Sequence, residues 1–309
     1  MTDSPADPVL ALWATNIARP VDSLEAWAAL VDERLEQAAK AGAWMLVMPE
    51  YASVQWLSFA PGRPLPMAAE IAWMAERADA ALAALKPLVE RHHVALLAGT
   101  LPVAAPNGGY VNRAHVLLPG GATIAQDKLS LTPDEQHVDG WNLKPGRELN
   151  LFRWRGLTWA VTICLDVEQP DLARHLQEQG VDVLLVPSMT ETLAGYHRVF
   201  DCAKARAVEL MTCVVACGTV GDCTAFSSGI ETNISGAAAF VPCEPTLGDT
   251  GRWGTALPPR ATDPDDGPCL ITPPLPTTIA SRLRQSGTAA VWQGPWSADH
   301  ITIRTLDPQ

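Results

Sequence analysis

Residues 43–50, AWMLVMPE, form a short, continuous apolar run that stops abruptly at Glu50. A run of this length without alternation is predicted to be a strand buried on both faces, as in a sheet covered by helices. The segment before it is helical in pattern. Ser23 is a candidate cap, apolar residues recur at Leu24, Trp27, Leu30, Val31 and Leu35, and Gly42 closes the segment. A first strand is predicted within residues 8–17, PVLALWATNI. Beyond a Pro-rich loop, residues 66–91 show helical spacing again, and VALLAGTLPV (94–103) repeats the buried-strand signal. Helix followed by apolar strand therefore occurs twice, which predicts an α/β fold.

Further along, AHVLLPGGATIAQDK and LNLFRWRGLTWAVTIC each contain two short runs, separated by Pro-Gly-Gly and by Arg-Gly, and both are predicted to be hairpins. Helix and strand then alternate once more, PDLARHLQEQG before VDVLLVPS and HRVFDCAKARAVELM before TCVVACGTV. Residues 242–276 are rich in Pro, Gly, Asp and Thr and lack periodicity, so they are expected to be a long loop or edge excursion, with residues 1–309 forming one domain. A last helix, TIASRLRQSG, is predicted before terminal strand-like pieces.

The chain has 309 residues, 48% hydrophobic and 18% charged, which excludes disordered and fibrous classes. Lys and Arg number 22 against 34 Asp and Glu, a net charge of −12. A surface of that sign repels phosphate backbones, so nucleic acid is not an expected partner. Glu, Asp, Arg or Pro interrupts every stretch before it reaches the roughly 20 apolar residues of a membrane span. The opening MTDSPADP carries two aspartates and two prolines where a signal peptide needs a basic start, so a soluble, cytoplasmic protein is expected. Its seven cysteines are accordingly expected to be reduced thiols.

Three polar residues stand at the ends of apolar strand runs: Glu50, Lys128 after ATIAQD, and Cys164 after LTWAVTI. In sheet-based α/β folds, ligands gather outside the carboxyl ends of strands. A carboxylate, an ammonium and a thiol there suffice for nucleophilic acyl transfer: the carboxylate moves the proton and the ammonium stabilises thiolate and oxyanion. Taken singly, Glu50 also reads as a solvated strand end, Lys128 as surface and Cys164 as a small buried hydrophobe. Cys164 additionally precedes LDVEQPDLAR, where helix amides could lower its pKa. Cys213, Cys217 and Cys223 mimic a metal spacing, but no nearby His completes it, so no metal is expected. His92 and His93 read as a helix end.

Together these segments resemble the nitrilase (carbon–nitrogen hydrolase) superfamily from about residue 8 to residue 240. MLVMPEYAS looks like the strand ending in its glutamate, at Glu50; AQDKLSLTPDE like its lysine motif, at Lys128, with a second glutamate at Glu135; and AVTICLDVEQPDLAR like its nucleophile motif, at Cys164, with Asp166, Pro170 and Arg174 following. VDVLLVPS and ARAVE, with Arg206 and Glu209, look like the next strand and helix. The chain departs from the usual pattern at Leu165, Gln169 and Asp171, positions that the resemblance implies help shape the pocket mouth.

The resemblance implies a four-layer α-β-β-α sandwich, assembled as a homodimer or larger through its outer helices, a covalent thioester intermediate and no cofactor. It implies that Glu50 deprotonates Cys164, that Lys128 and the backbone amide of Leu165 hold the oxyanion, and that Glu135 keeps Lys128 or the substrate in register. The expected activity is hydrolysis of a small-molecule amide. Tyr51, Trp56, Trp141, Thr190 and His197 are candidate substrate contacts, although buried Trp and Tyr commonly pack rather than bind. An N-carbamoyl amide hydrolase, a nitrilase, an acyltransferase and a non-catalytic scaffold are alternatives on the same fold. A papain-like Cys-His hydrolase would need His137 as base, and neither flank resembles that family.

Overall fold

The computed structural model describes residues 6–106, 108–286, 289, 294, 297–302 and 304. β1 (Leu10–Trp13) runs parallel to β2 (Met45–Met48), and β2 parallel to β3 (Ala95–Ala104). Alternate residues of all three divide between two cores. Leu10, Leu12, Met45, Val47, Ala95 and Leu97 pack toward a second sheet, and Ala11, Trp13, Leu46, Met48, Leu96 and Ala98 pack under helices. Both sets are apolar because both faces are covered, which is why residues 43–50 show no alternation. α1 (Leu24–Lys40) is capped by the Ser23 hydroxyl, which accepts from the Ala26 amide at 3.2 Å, and it buries Trp27, Val31 and Leu35. α2 (Met67–His92) lies beside it, and the His92 ring meets Asp32 of α1 at 2.6 Å. β4 (Tyr110–Leu117) and β5 (Thr123–Asp127) extend this first sheet as the predicted antiparallel hairpin. A single turn, α3 (Pro133–Gln136), follows.

The second sheet starts with the hairpin of β6 (Leu151–Trp154) and β7 (Leu157–Val161). Arg155 (φ 50°) and Gly156 (φ 78°) both sit in the left-handed region, the geometry whose twist matches a two-residue hairpin. α4 (Pro170–Gln179) leads to β8 (Val183–Ser188) and α5 (Leu193–Glu209) to β9 (Cys213–Gly218), both strands parallel to β7 and its neighbour. A ribbon of β10 (Gly221–Asp222) and β11 (Thr232–Asn233) precedes β12 (Ser235–Phe240), which is antiparallel to β9.

The stretch 242–276 supplies an edge strand to each sheet. β13 (Leu257–Arg260) pairs with β12, and β14 (Cys269–Ile271) returns to pair with β1. The sheet orders are thus β14-β1-β2-β3-β4-β5 and β13-β12-β9-β8-β7-β6. They pack face to face between α1 and α2 on one side and α4 and α5 on the other, the four-layer α-β-β-α arrangement. α6 (Thr277–Ser286) is the expected last helix; the terminal strand-like pieces lie largely outside the described residues. Among the described residues no helix is long and apolar enough to cross a membrane.

Candidate active site

The packed sheets bring three strand ends to one place. Glu50 lies just past β2, Lys128 directly after β5, and Cys164 opens a 3₁₀ turn, Cys164–Glu168, beyond β7. Glu50 is 1% exposed, Lys128 2%, Glu135 4% and Cys164 6%, so the two carboxylates and the ammonium have partners in place of water. The Lys128 ammonium donates to Glu50 Oε1 at 2.8 Å and to Glu135 Oε2 at 2.7 Å. The Tyr51 hydroxyl donates to Glu135 Oε1 at 2.8 Å, and the Thr132 amide to Glu135 Oε2 at 2.9 Å. Cys164 Sγ contacts the Met189 carbonyl oxygen at 3.5 Å and stands close enough to the Glu50 carboxylate to feel its charge.

Backbone geometry holds these groups. Tyr51 (φ 51°) and Cys164 (φ 48°) both occupy the left-handed region, which costs a residue other than glycine about 1–3 kcal/mol and persists only where the surroundings impose it. At Tyr51 the imposing element is β3. Its register shifts between Leu97 and Thr100, and Gly99 (φ 68°) lies so close to Pro49 that an added Cβ would fall 2.3 Å from the Pro49 carbonyl oxygen. The shift lets Thr100 Oγ1 accept from the Tyr51 amide at 2.9 Å. At Cys164 the imposing element is Asp166. Its carboxylate accepts from the amides of Ile163 (3.0 Å), Leu129 (3.1 Å) and Ser130 (2.6 Å), binding the cysteine turn to the segment after Lys128.

One ammonium serves two carboxylates, and the environment separates them. Burial, together with the charge of Glu135, pushes the Glu50 carboxyl up to about 7 against the pull of Lys128. Burial acts on Glu135 too, but Lys128, the Thr132 amide and the Tyr51 hydroxyl outweigh it and hold that carboxyl below its ordinary value. Burial disfavours the Lys128 charge, yet the two carboxylates hold it as ammonium above its usual range. Burial and the Glu50 charge push the Cys164 thiol well up, so it rests protonated. The arrangement is a thiol beside a carboxylate whose proton affinity lies near neutrality, with a fixed cation adjacent.

These groups open on a pocket of about 370 Å³, which Tyr51, Trp141, Leu165 and Thr190 also line. Tyr51 and Trp141 meet edge to face at 4.7 Å, and the Thr190 hydroxyl is committed to the Ile234 carbonyl oxygen at 2.7 Å. Two expected substrate contacts lie elsewhere. Trp56 is 0% exposed in the core under α1 and α2, edge to face with Trp27 at 5.1 Å, because its 3₁₀ segment Ala52–Phe59 turns the ring away from the pocket. His197 is on the exposed face of α5, 3.8 Å from Asp201, one turn along the same helix.

Two residues outside the sequence expectation shape the site. Asn112 on β4 is fully buried and donates to Glu50 Oε1 at 2.9 Å and to Glu135 Oε1 at 3.4 Å. Its signal was its phase, since Asn112, Ala114 and Val116 alternate on the face between the sheets. Glu70 on α2, also fully buried, accepts from Ser227 Oγ (3.0 Å), the Ser228 amide (2.5 Å) and Trp141 Nε1 (3.4 Å), tying two pocket walls to the helix.

An α-β-β-α sandwich with a carboxylate, an ammonium and a thiol at its strand ends defines a class of hydrolase-like folds, and sequence comparison identifies which. The model of the family described as "Carbon-nitrogen hydrolase" matches residues 9–248, and the chain belongs to that family. It is similar to "Probable hydrolase YhcX" of Bacillus subtilis (strain 168), with 26% identity over 87% of this chain and 50% of that protein. It is also similar to "Deaminated glutathione amidase" of Synechocystis sp., with 31% identity over 44% of this chain and 54% of the relative. The chain thus spans about half the length of these curated relatives. The fold is that of an amidase from Nesterenkonia sp., with a TM-score of 0.64 and 21% identity over 93% of this chain and 96% of that one. In one variant of that amidase the acetamide moiety of fluoroacetamide is added covalently at the active-site cysteine.

Proposed function

We propose that the chain hydrolyses the carbon–nitrogen bond of small primary amides through a thioester on Cys164. The observation that carries this reading is the Glu50–Lys128–Glu135 cluster beside the Cys164 thiol at the buried end of the pocket. Glu50, with its carboxyl near 7, accepts the thiol proton as sulfur attacks the amide carbonyl. Lys128 and the Leu165 amide stabilise the oxyanion. The carbon–nitrogen bond then breaks, Glu50 returns the proton to the departing ammonia, and the thioester remains. Glu50 next takes a proton from water, whose oxygen attacks the thioester, and sulfur leaves as the thiol with that proton. The net reaction converts amide and water to carboxylate and ammonium. Glu135, held low, keeps Lys128 charged throughout. The covalent adduct in the Nesterenkonia amidase supports the nucleophile assignment by analogy.

The test is ammonia release from a panel of small amides, N-carbamoyl compounds and nitriles, with wild type beside Cys164→Ala. Release from amides by wild type alone is expected. Equal release by Cys164→Ala would refute the scheme, and release from nitriles or carbamoyl compounds alone would reassign the bond.

A further inference from the structure

We propose that the pocket selects primary amides that carry a cationic group, an ammonium or a guanidinium, at the end away from the reacting carbonyl. This inference rests on the amide-hydrolase reading and extends it to substrate class.

The pocket is far richer in carboxylates than in cations. Among the described residues, Glu50, Asp134, Glu135, Glu168 and Glu191 line it against only Lys128 and Arg198. Both cations are engaged. Lys128 is held between Glu50 and Glu135, and Arg198 Nε lies 3.4 Å from Glu168 Oε2. Asp134 and Glu191 remain at the mouth, where their charges and that of Glu231 act on one another. Neither forms an ion pair with another described residue.

A second, separate observation concerns the wall. Trp141, Tyr51, Met67 and Ile230 form an apolar and aromatic side of the pocket. Directly behind Trp141 stands Glu70, 0% exposed. It accepts from the Ser227 hydroxyl, the Ser228 and Gly229 amides and the Trp141 indole, an acceptor-only pattern that suits an ionised carboxylate. All four donors are neutral and no cation among the described residues stands beside it, so burial raises its carboxyl above the ordinary carboxylate value and a nearby positive charge would favour its ionised form. A Cβ at Gly229 would lie 3.0 Å from both Glu70 Oε2 and Trp141 Nε1, which shows how tightly the carboxylate, the indole and this loop are fitted.

An alkyl stem along Met67 and Ile230 with a cation at its end would meet an aromatic face and uncompensated carboxylates, both attractive to positive charge. A terminal carboxylate would meet the same groups as repulsion, and the charge of Arg198, the one lining cation outside the Lys128 cluster among the described residues, is already balanced by Glu168. A volume of about 370 Å³ suits a small amide on a short stem.

The experiment compares three primary amides of equal chain length ending in an ammonium, a methyl group and a carboxylate. kcat/KM is measured at low and high ionic strength for wild type and for the double variant Asp134→Asn, Glu191→Gln, each normalised to its own rate on the methyl-terminated amide. The expected order is ammonium, methyl, carboxylate, with about tenfold or more between first and last at low salt. Salt should compress that ratio in wild type, and the double variant should compress it without salt, mainly through KM. An equal or reversed order, or a ratio that moves with neither salt nor substitution, would overturn the proposal while leaving amide hydrolysis intact. Failure of wild type on all three amides, with active turnover of another bond type, would instead sink the amide reading and this inference with it.

Discussion

The Asn112 side-chain amide donates to Glu50 Oε1 at 2.9 Å, on the same oxygen that receives the Lys128 ammonium at 2.8 Å. That oxygen therefore has two donors, which leaves the other carboxylate oxygen as the one available to move a proton. Hydrogen bonds to charged groups contribute about 1.5–3 kcal/mol. Asn112→Ala is expected to lower kcat/KM on a small amide by about 10- to 100-fold with the fold retained by circular dichroism. Asn112→Asp, which places a third carboxylate against Glu50 and Glu135, is expected to be worse than Asn112→Ala. Near-normal turnover in both would show that Asn112 does not orient Glu50.

Gly99 sets the position of Glu50 through the backbone. Any side chain there meets the Pro49 carbonyl oxygen at 2.3 Å and must also adopt a φ near 68°. Gly99→Ala is expected to lower the melting temperature by about 5 °C or more and to reduce activity beyond what the loss of folded protein explains. An unchanged melting temperature would mean that β3 relaxes at no cost.

Activity should follow the protonation of Glu50. The proposed base must be ionised to accept the thiol proton, and burial raises its carboxyl to about 7. kcat/KM is expected to fall as pH drops through about 7, one decade per unit below it. Glu50→Gln, which removes the base, is expected to cost about 10²-fold or more. A profile flat from pH 8 to pH 5 would contradict the assignment.

His115 makes its own contribution to the pH dependence of stability, which its substitution isolates from those of the buried carboxyls Glu50 and Asp166. The ring is buried on β4, neither nitrogen has a hydrogen-bond partner among the described residues, and burial with the nearby Arg113 charge lowers it from 6.5 to about 4. A depressed pKa contributes stability that is fully present above pH 6.5 and lost as pH falls through about 4. The whole contribution is about 3 kcal/mol. Urea denaturation at pH 7.5 and pH 4.5 should show His115→Phe losing less stability between the two than wild type. Equal losses would place the acid sensitivity elsewhere.

What the sequence made legible depended on periodicity. AWMLVMPE and VALLAGTLPV read as buried strands because both faces of β2 and β3 are covered, and Arg155-Gly156 read as a hairpin because the turn demands left-handed residues. Glu50, Lys128 and Cys164 stood out because strand ends are sharp in such patterns. Trp56 and His197 were misplaced because a 3₁₀ segment and a helix start carry no period that tells where a ring points. β13 and β14 were hidden because three- and four-residue edge strands pair through backbone and need no apolar pattern. Asn112 and Glu70 were readable only by phase, as polar residues at positions whose neighbours along the strand or helix are buried.

The central claim is that Cys164 is the nucleophile. Its most direct test is intact-protein mass spectrometry of Glu50→Gln, in which turnover of this small amide is slowed, after incubation with fluoroacetamide, followed by peptide mapping. The thiolate displaces fluoride, forming a carbon–sulfur bond as fluoride leaves, and one acetamide group should be found on Cys164, with no adduct in Cys164→Ala. Labelling spread over the other six cysteines, with Cys164 unmodified and Cys164→Ala still releasing ammonia from amides, would contradict the account.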